Sequence, residues 1–257
     1  MSPLELLAQR VKQTPSETEL SLPPGFAKET ELRFYLPQKL IKKTIADNNF
    51  LEIEQRRFPE HMTEALLARF APKLKGHAEL FSFARLRQIT FPDGDIRYEI
   101  EFKGQKHKVN GARISRPVIE EPIQVFTKEY KELAPLAYEG AELKRRYTIP
   151  GHVKLSSGDL VRVEAEVDLY LAFTNNLKPL PEKQRFATVD VELTDTALIR
   201  PLLRGHHSFG FLKQCVPMNF EHARISKKLS SGKLGSNGLG EKQLAAIRDL
   251  EEIASRI

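Results

Sequence analysis

The feature that most constrains the fold is a repeated alternation of apolar and charged side chains along successive short segments. Neighbouring side chains of a β-strand point to opposite faces of its sheet, so each segment would have one apolar face and one ionic face. In TVDVELT, for example, Asp190 and Glu192 alternate with Val189, Val191 and Leu193. The pattern predicts a fold built from many antiparallel strands.

Turn-forming sequences separate the segments, notably FPDG at 91–94 and SSGD at 156–159, and these predict β-hairpins. Apolar residues at helical spacing predict helices at 38–47, 60–73, 125–137 and 197–203. A Gly/Ser-rich stretch at 230–240 predicts a flexible linker before a last helix at 241–257. We therefore divide the chain into a helical extension with a linker (1–27), a β-rich domain (28–220), and a linker with a C-terminal helix (221–257).

Composition excludes several classes of protein. The single cysteine, Cys215, cannot form an intrachain disulfide, and no CxxC motif is present to hold zinc. No apolar run approaches the roughly 18–20 residues that a membrane-spanning helix needs, and the N-terminus lacks the layout of a signal peptide. These features predict a cytoplasmic protein without a membrane segment. The 40 Lys and Arg residues nearly balance 34 Asp and Glu residues, so net charge alone identifies no partner.

The distribution of charge between the strands is more informative. A sheet with one solvated face would explain the charges of any single strand. Here, however, acidic pairs and basic pairs occupy different strands, as in Glu166 and Asp168 against Arg85 and Arg87. In a closed barrel the ionic faces would point at one another, so that carboxylates could hold hard divalent cations and basic groups could hold phosphate oxygens.

The first of these segments, Glu29-Thr30-Glu31-Leu32-Arg33-Phe34, resembles the Glu-x-Glu-x-Lys motif of the CYTH, or triphosphate tunnel metalloenzyme, superfamily, with Arg33 in place of the Lys. The resemblance covers roughly 29–194. It implies an α+β fold in which an eight-stranded antiparallel β-barrel forms a tunnel and helices pack outside it. Further segments resemble later family strands in the family order: Ile53-Glu54-Gln55, Arg85-Leu86-Arg87, Phe102-Lys103-Gly104, Ser115-Arg116 with Glu120, Lys144-Arg145-Arg146-Tyr147, Glu166-Val167-Asp168 and Asp190-Val191-Glu192-Leu193.

The resemblance also implies roles for the charged residues. The implied ligands of a Mg²⁺ or Mn²⁺ cofactor are Glu29, Glu31, Asp168, Asp190 and Glu192. The implied phosphate ligands are Arg33, Arg85, Arg87, Lys103, Arg116, Lys144 and Arg146. The first-strand motif, Glu29, Glu31 and Arg33, carries the implied catalytic role. Three further glutamates would either orient water or only balance neighbouring cations, and both readings stay open: Glu101, Glu120 and Glu166.

The implied function is metal-dependent hydrolysis of inorganic tripolyphosphate or of an organic or nucleoside triphosphate, with release of phosphate. A class IV-type adenylyl cyclase, an RNA 5′-triphosphatase and a module that binds polyphosphate, a nucleotide or an RNA end without cleaving it are the alternatives. A structural protein with an empty sheet and a homodimer are also left open. An RNA partner would need a basic outer surface, for which the candidates are Lys106, Lys108, Arg113 and the cluster at 224–228, although ordinary solvated charge is the favoured explanation of these residues.

The sequence also departs from the family pattern. Arg33 exchanges a compact ammonium for a planar guanidinium that has no accessible neutral form. Val118 stands where the family often has a Glu, and the segment between Gln55 and Arg85 is longer than usual. These differences predict a divergent member. His206 and His207 are expected in an exposed loop rather than at a metal.

Overall fold

The computed structural model describes residue 22 and residues 26–46, 48–109, 112–119, 122–138, 140–173, 177–219, 222–231 and 239–257. Most of the predicted N-terminal extension at 1–27 lies outside these residues. So does the middle of the predicted linker at 230–240, and Glu120 is not among the described residues either.

Eight strands form a closed antiparallel barrel, as predicted. Around the barrel they follow the order β1, β10, β9, β8, β2, β3, β4 and β6, and β6 pairs with β1 to close the ring. Short strands β5, β7 and β11 pair with β6, β4 and β1. Their bounds are β1 Phe26–Leu36, β2 Phe50–Arg57, β3 Phe81–Thr90, β4 Ile96–Gly104, β5 His107–Val109, β6 Ala112–Ile119, β7 Ile123–Gln124, β8 Gly140–Lys154, β9 Leu160–Phe173, β10 Phe186–Leu193 and β11 Val216–Pro217.

Helices lie between the strands close to where the apolar spacing predicted them, each shorter than its predicted range. The predictions at 60–73, 125–137 and 197–203 each become an α-helix joined to 3-10 turns. The helix α5 was not predicted and includes the start of the predicted linker. The bounds are α1 Gln38–Ile45, α2 Thr63–Phe70, α3 Thr127–Leu133, α4 Ile199–Leu203, α5 Ala223–Ser231 and α6 Glu241–Ser255.

Two glycines make the predicted hairpins. Gly94 joins β3 to β4 with φ of 94°, and Gly158 joins β8 to β9 with φ of 98°. Residues with a side chain rarely adopt this left-handed conformation, whereas glycine does so without steric cost. Both hairpin predictions are confirmed.

The apolar cores lie on the outside of the barrel wall. Leu32, Phe34 and Leu36 on the outer face of β1 pack with Leu202 and Leu203 of α4. On the opposite side, outward residues of β3 and β4 pack with α2 and α3 in a second cluster. Because the strands alternate with a period of two, burying the apolar face against outer helices leaves the charged face for the barrel interior.

The last helix is attached to one end of the barrel. Tyr35 and Tyr170, on the same strand faces as the interior charges, join a cluster with Ala246 and Leu250 of α6. The Tyr35 hydroxyl also donates a hydrogen bond of 2.7 Å to Oε1 of Glu251. Helix α6 therefore packs on the barrel. None of the described helices has the length and apolar character needed to cross a membrane.

Candidate metal and polyanion site

The acidic strands are neighbours in the barrel although they are far apart in the sequence. Strand β10 lies between β1 and β9. Its register places Glu192 opposite Glu31 of β1 and Asp190 opposite Glu166 of β9. We name strands β1, β10 and β9, with their inward carboxylates including Glu29 of β1, the acidic arc. Folding thus brings together the carboxylates predicted as metal ligands on one side of the interior.

The remaining five strands of the ring form what we name the basic arc. Strands β8, β3, β4 and β6 each carry at least one inward cation, and β2 contributes Gln55, whose amide oxygen accepts a 3.2 Å hydrogen bond from Arg87. The predicted phosphate ligands on this arc are Arg85, Arg87, Lys103, Arg116, Lys144 and Arg146. Arg33 is the exception, because it lies on acidic strand β1.

Every predicted phosphate ligand pairs with a carboxylate in this structure. Glu101 illustrates the arrangement, since it contacts Arg85, Arg87 and Lys103 of the basic arc. These three pairs fit the charge-balancing role for Glu101 that the sequence left open. The interior is therefore a network of alternating charges, and its cations are not free.

Two predicted metal ligands are held by guanidinium forks. Arg33 donates from Nε and Nη2 to the two oxygens of Asp190, both at 2.6 Å. Arg146 does the same to Asp168 at 2.7 and 2.8 Å, and Lys144 adds a third contact at 2.5 Å. Burial alone would raise the pKa of Asp168, but the charges of Arg146 and Lys144 outweigh it and hold that pKa well below its usual range. Both oxygens of each of these two carboxylates therefore accept from a guanidinium.

Glu29 and Glu31 on β1 share a single guanidinium. Nη2 of Arg116 lies 2.9 Å from Glu29 and 3.3 Å from both oxygens of Glu31. Lys103 also pairs with Glu29, and Lys106 pairs with Glu31. Burial would raise the pKa of Glu31, but the nearby Arg33, Arg116 and Lys106 keep it well below the usual value. Glu31 is therefore ionised.

Two other carboxylates in the acidic arc lack sufficient positive charge. Burial raises the pKa of Glu166 to about 7; Arg146 opposes this shift, whereas Asp168, Glu192 and Asp190 reinforce it. Partial burial also raises the pKa of Glu192, helped by Glu29, although this residue remains exposed to solvent. Among the described residues, no Lys or Arg forms a salt bridge with Glu192. The acidic arc is consequently short of positive charge at the point where β10 meets its neighbours.

In the basic arc, by contrast, Arg87 has too little negative charge around it. Burial lowers the pKa of Arg87 to about 10, with further lowering by Arg85 and Arg146 and partial opposition from Glu101. A second feature is Arg116, whose buried Nε has no hydrogen-bond partner among the described residues. An anion that reached Arg87 would supply negative charge, and one that reached Nε of Arg116 would give that group an acceptor.

One interior polar residue was missed by the sequence reasoning. Thr188 of β10 lies opposite Asp168 and on the same strand face as Asp190. It is 3% exposed, and its hydroxyl has no hydrogen-bond partner within the described part of the chain. Its position in the TVDVELT alternation was the available signal. Thr188 offers the interior a neutral hydrogen-bond donor.

The donor set fits a hard divalent cation at part of the acidic arc. Glu29, Glu31 and Glu192 offer only carboxylate oxygens, which are the ligands that Mg²⁺ and Mn²⁺ prefer. As the side chains stand, no three acidic, His or Cys residues in the described ranges come together closely enough to coordinate an ion. Lys and Arg groups contact the oxygens of Glu29 and Glu31, so these ion pairs would rearrange when an ion binds.

The structure corrects one assignment and leaves others untested. Lys106 was grouped with the outer basic surface, but it contacts buried Glu31 in the interior. The side chains of Lys108 and Arg113 lie outside the described residues, whereas Arg224 is exposed on α5. His206 is exposed as expected, while His207 is only partly so, and Cys215 is fully buried.

A closed eight-stranded antiparallel barrel with an ionic interior, helices outside, and acidic and basic strands in the expected order is the α+β tunnel architecture that the sequence predicted. Neither a scan of known family models nor a search of curated proteins gave a match for the sequence.

Solved structures provide remote matches. A search found NE1496, solved as an inorganic triphosphatase, with 18% identity, a TM-score of 0.31, and coverage of 67% of this chain and 77% of that one. It also found HpAC1 from Hippeastrum, a putative adenylyl cyclase described as having a dominant triphosphatase activity. That match has 12% identity, a TM-score of 0.37, and coverage of 69% and 85%. The fold is defined here by the strand pairing, not by these superpositions.

Proposed function

We propose that the protein hydrolyses a triphosphate, with Mg²⁺ or Mn²⁺ bound in the acidic arc and the phosphate chain in the basic arc. The observation that carries this proposal is the segregation of charge around one barrel interior. Carboxylates occupy three adjacent strands and cations line the facing ones. A metal–triphosphate complex has the same two halves, a cation and a polyanion, so it complements both arcs at once.

The contacts of the carboxylates support that division of labour. Glu192, which has no salt bridge among the described residues, would hold the ion with Glu29 and Glu31, which share Arg116, whereas an arginine fork holds each of Asp168 and Asp190. Arg87 and Arg116 would contact phosphate first, since Arg87 lacks sufficient negative charge around it and Arg116 keeps a buried Nε without a partner. When bound, the ion neutralises phosphate oxygens and supplies an activated water.

Phosphoryl transfer fits a site of this kind for a general reason. It depends mainly on in-line positioning and on neutralising the charge that spreads over phosphate oxygens. Rigid strands position the guanidinium groups, and a buried interior strengthens their interaction with phosphate. Glu166 would orient water or stay a charge-balancing partner of Arg146, which it contacts at 2.7 Å. No Ser or Cys nucleophile is required.

Within this proposal, hydrolysis is preferred to cyclisation or to capture without turnover. Hydrolysis needs only the charged groups described above, whereas a cyclase must also hold a nucleoside so that its ribose hydroxyl faces the α-phosphate. RNA 5′-end cleavage would need a basic outer surface, and Lys106 no longer contributes to one.

The experiment is a substrate panel with purified full-length chain. Tripolyphosphate, ATP, thiamine triphosphate and a 5′-triphosphorylated RNA would each be assayed for phosphate and pyrophosphate release with Mg²⁺, Mn²⁺ or EDTA. We expect metal-dependent phosphate release that Glu31→Gln and Glu192→Gln abolish while the fold is retained. Pyrophosphate release with a cyclic product would indicate a cyclase, and tight binding without turnover would indicate a binding module.

A further inference from the structure

Lys106 is the one described cation that reaches the acidic arc from outside the barrel strands. It follows Gln105 in the two-residue link between β4 and β5, and its ammonium pairs with Oε1 of Glu31. The other basic partners of Glu29, Glu31, Asp168 and Asp190 all belong to β1, β4, β6 or β8. The position of Lys106 therefore depends less on the barrel than theirs does.

The exposure of the pair shows how Lys106 enters the interior. The Glu31 side chain is 4% exposed and that of Lys106 is 29% exposed. A long aliphatic stem thus carries the ammonium in from the rim while part of the side chain remains in contact with solvent. Gly104 marks where the rigid part ends, because a Cβ at that position would lie 2.5 Å from the Leu80 carbonyl oxygen and collide with the ring of Pro117. Residues 105 and 106 belong to no strand ladder, so the Lys106 side chain can change rotamer without breaking strand pairing.

The ammonium and a divalent cation would compete for the same carboxylate. Glu31 is a proposed metal ligand, and its oxygens are shared between Lys106 and Arg116. Burying an uncompensated carboxylate is costly, so a cation must remain beside Glu31 before any metal arrives. Arg116 is held on β6 and can remain beside Glu31. The Lys106 side chain, which extends from a short link, can move away from Glu31.

Arg33 cannot provide a compact ammonium near this site. Its guanidinium is committed to both oxygens of Asp190. A compact, strongly hydrated ammonium interacts with a phosphate oxygen as a point charge, without the planar geometry a guanidinium requires.

We propose that Lys106 is an exchangeable cation: it neutralises Glu31 in the metal-free protein and moves to a phosphate oxygen of the substrate once the metal is bound. This inference rests on the proposed function and deepens it by adding a substrate-binding residue. It predicts that Lys106 opposes metal binding when no triphosphate is present and favours triphosphate binding when metal is present. A purely structural salt bridge would do neither.

The test uses the full chain with Lys106→Met, which removes the charge and keeps the stem. Lys42→Met removes the same charge from the exposed surface of α1 and serves as the control. Mn²⁺ binding would be measured by electron paramagnetic resonance without triphosphate. An imido-linked tripolyphosphate, which resists hydrolysis, would then be titrated calorimetrically with Mn²⁺ and with EDTA.

We expect Lys106→Met to tighten Mn²⁺ binding about tenfold, the equivalent of one charge-assisted hydrogen bond, and to weaken analogue binding about tenfold in Mn²⁺ only. Lys42→Met should change neither. Unchanged or weaker Mn²⁺ binding by folded Lys106→Met would overturn the exchange, and unchanged analogue binding in Mn²⁺ would overturn the transfer to phosphate. If wild-type protein binds neither Mn²⁺ nor the analogue, the proposed function itself fails. Lys106→Gln, which keeps a hydrogen bond without the charge, gives the same readouts if the Met variant does not fold.

Discussion

Arg33 of β1 and Asp190 of β10 form a bidentate ion pair across neighbouring strands, with both N–O distances at 2.6 Å. Arg33 follows Glu29 and Glu31 on the same face of β1. The pair joins two strands of the acidic arc through a side-chain contact as well as through their backbone ladder. Any ion bound by Asp190 would have to share its oxygens with Arg33. Arg33 thus has a structural role as well as an interior charge.

The first prediction concerns the stability of this pair. Arg33→Met would leave Asp190, whose side chain is 5% exposed, without its main partner, so we expect a loss of about 3 kcal/mol in the free energy of unfolding. Arg33→Met combined with Asp190→Asn should cost less than the sum of the two single changes, because no unpaired charge remains. Urea unfolding of all four proteins measures the coupling. Strict additivity would show that the pair contributes nothing.

The second prediction separates stability from binding at Arg87. Since burial and the neighbouring Arg85 and Arg146 lower the pKa of Arg87, its charge is poorly compensated without ligand. Arg87→Met should therefore leave the melting temperature unchanged or raise it, and should weaken tripolyphosphate binding about a hundredfold. Arg56→Met, on the outer face of β2 beside Glu54, is the matched control and should not alter binding. A large drop in melting temperature with unchanged affinity would contradict this assignment.

The third prediction tests the close packing between β4 and β6 at Gly104. A Cβ at Gly104 would collide with Pro117 and lie 2.5 Å from the Leu80 carbonyl oxygen, whereas a Cβ at Gly140 meets no atom within 4 Å. We expect Gly104→Ala to destabilise the fold by about 3 kcal/mol through overpacking. Gly140→Ala, the control, should be neutral or slightly stabilising. Equal chemical denaturation midpoints for the two variants would show that the packing around Gly104 is looser than described.

Much of this fold could be predicted from the sequence because of its two-residue period. The alternation at 189–193 shows which side chains share a face, and the glycines of FPDG and SSGD show where the chain turns. Closure of the ring needed the pairing of β6 with β1, a contact between segments about 90 positions apart that no local pattern encodes.

The site was predictable to a smaller extent. Charge signs along the strands indicated an acidic side and a basic side. They could not show that Asp168 and Asp190 are held by arginine forks, nor that Lys106 turns inward. Those contacts depend on strand register and on the path of a two-residue link, and local sequence patterns specify neither.

The fourth prediction concerns acid stability. Burial lowers the pKa of His207 to about 4, and the nearby Lys213 adds to the shift; the usual value is 6.5. Between these two values the unfolded chain binds a proton that the folded protein does not, so stability falls as the pH drops from about 6.5 to 4. Above that window both states are neutral and the effect disappears. His207→Gln should make the decline shallower, whereas His206→Gln, at the exposed neighbour, should not. Parallel curves of unfolding free energy against pH for wild type and His207→Gln would contradict the account.

The central claim is that one barrel interior binds a divalent cation and a triphosphate together. Calorimetric titration of the imido-linked tripolyphosphate in EDTA and in saturating Mn²⁺ tests it directly, with Glu31→Gln and Arg87→Met as variants of the two arcs. We expect Mn²⁺ to tighten analogue binding at least tenfold, with Glu31→Gln losing that gain and Arg87→Met losing affinity in both conditions. Analogue affinity that is the same with and without Mn²⁺, and unaffected by either substitution, would contradict the claim.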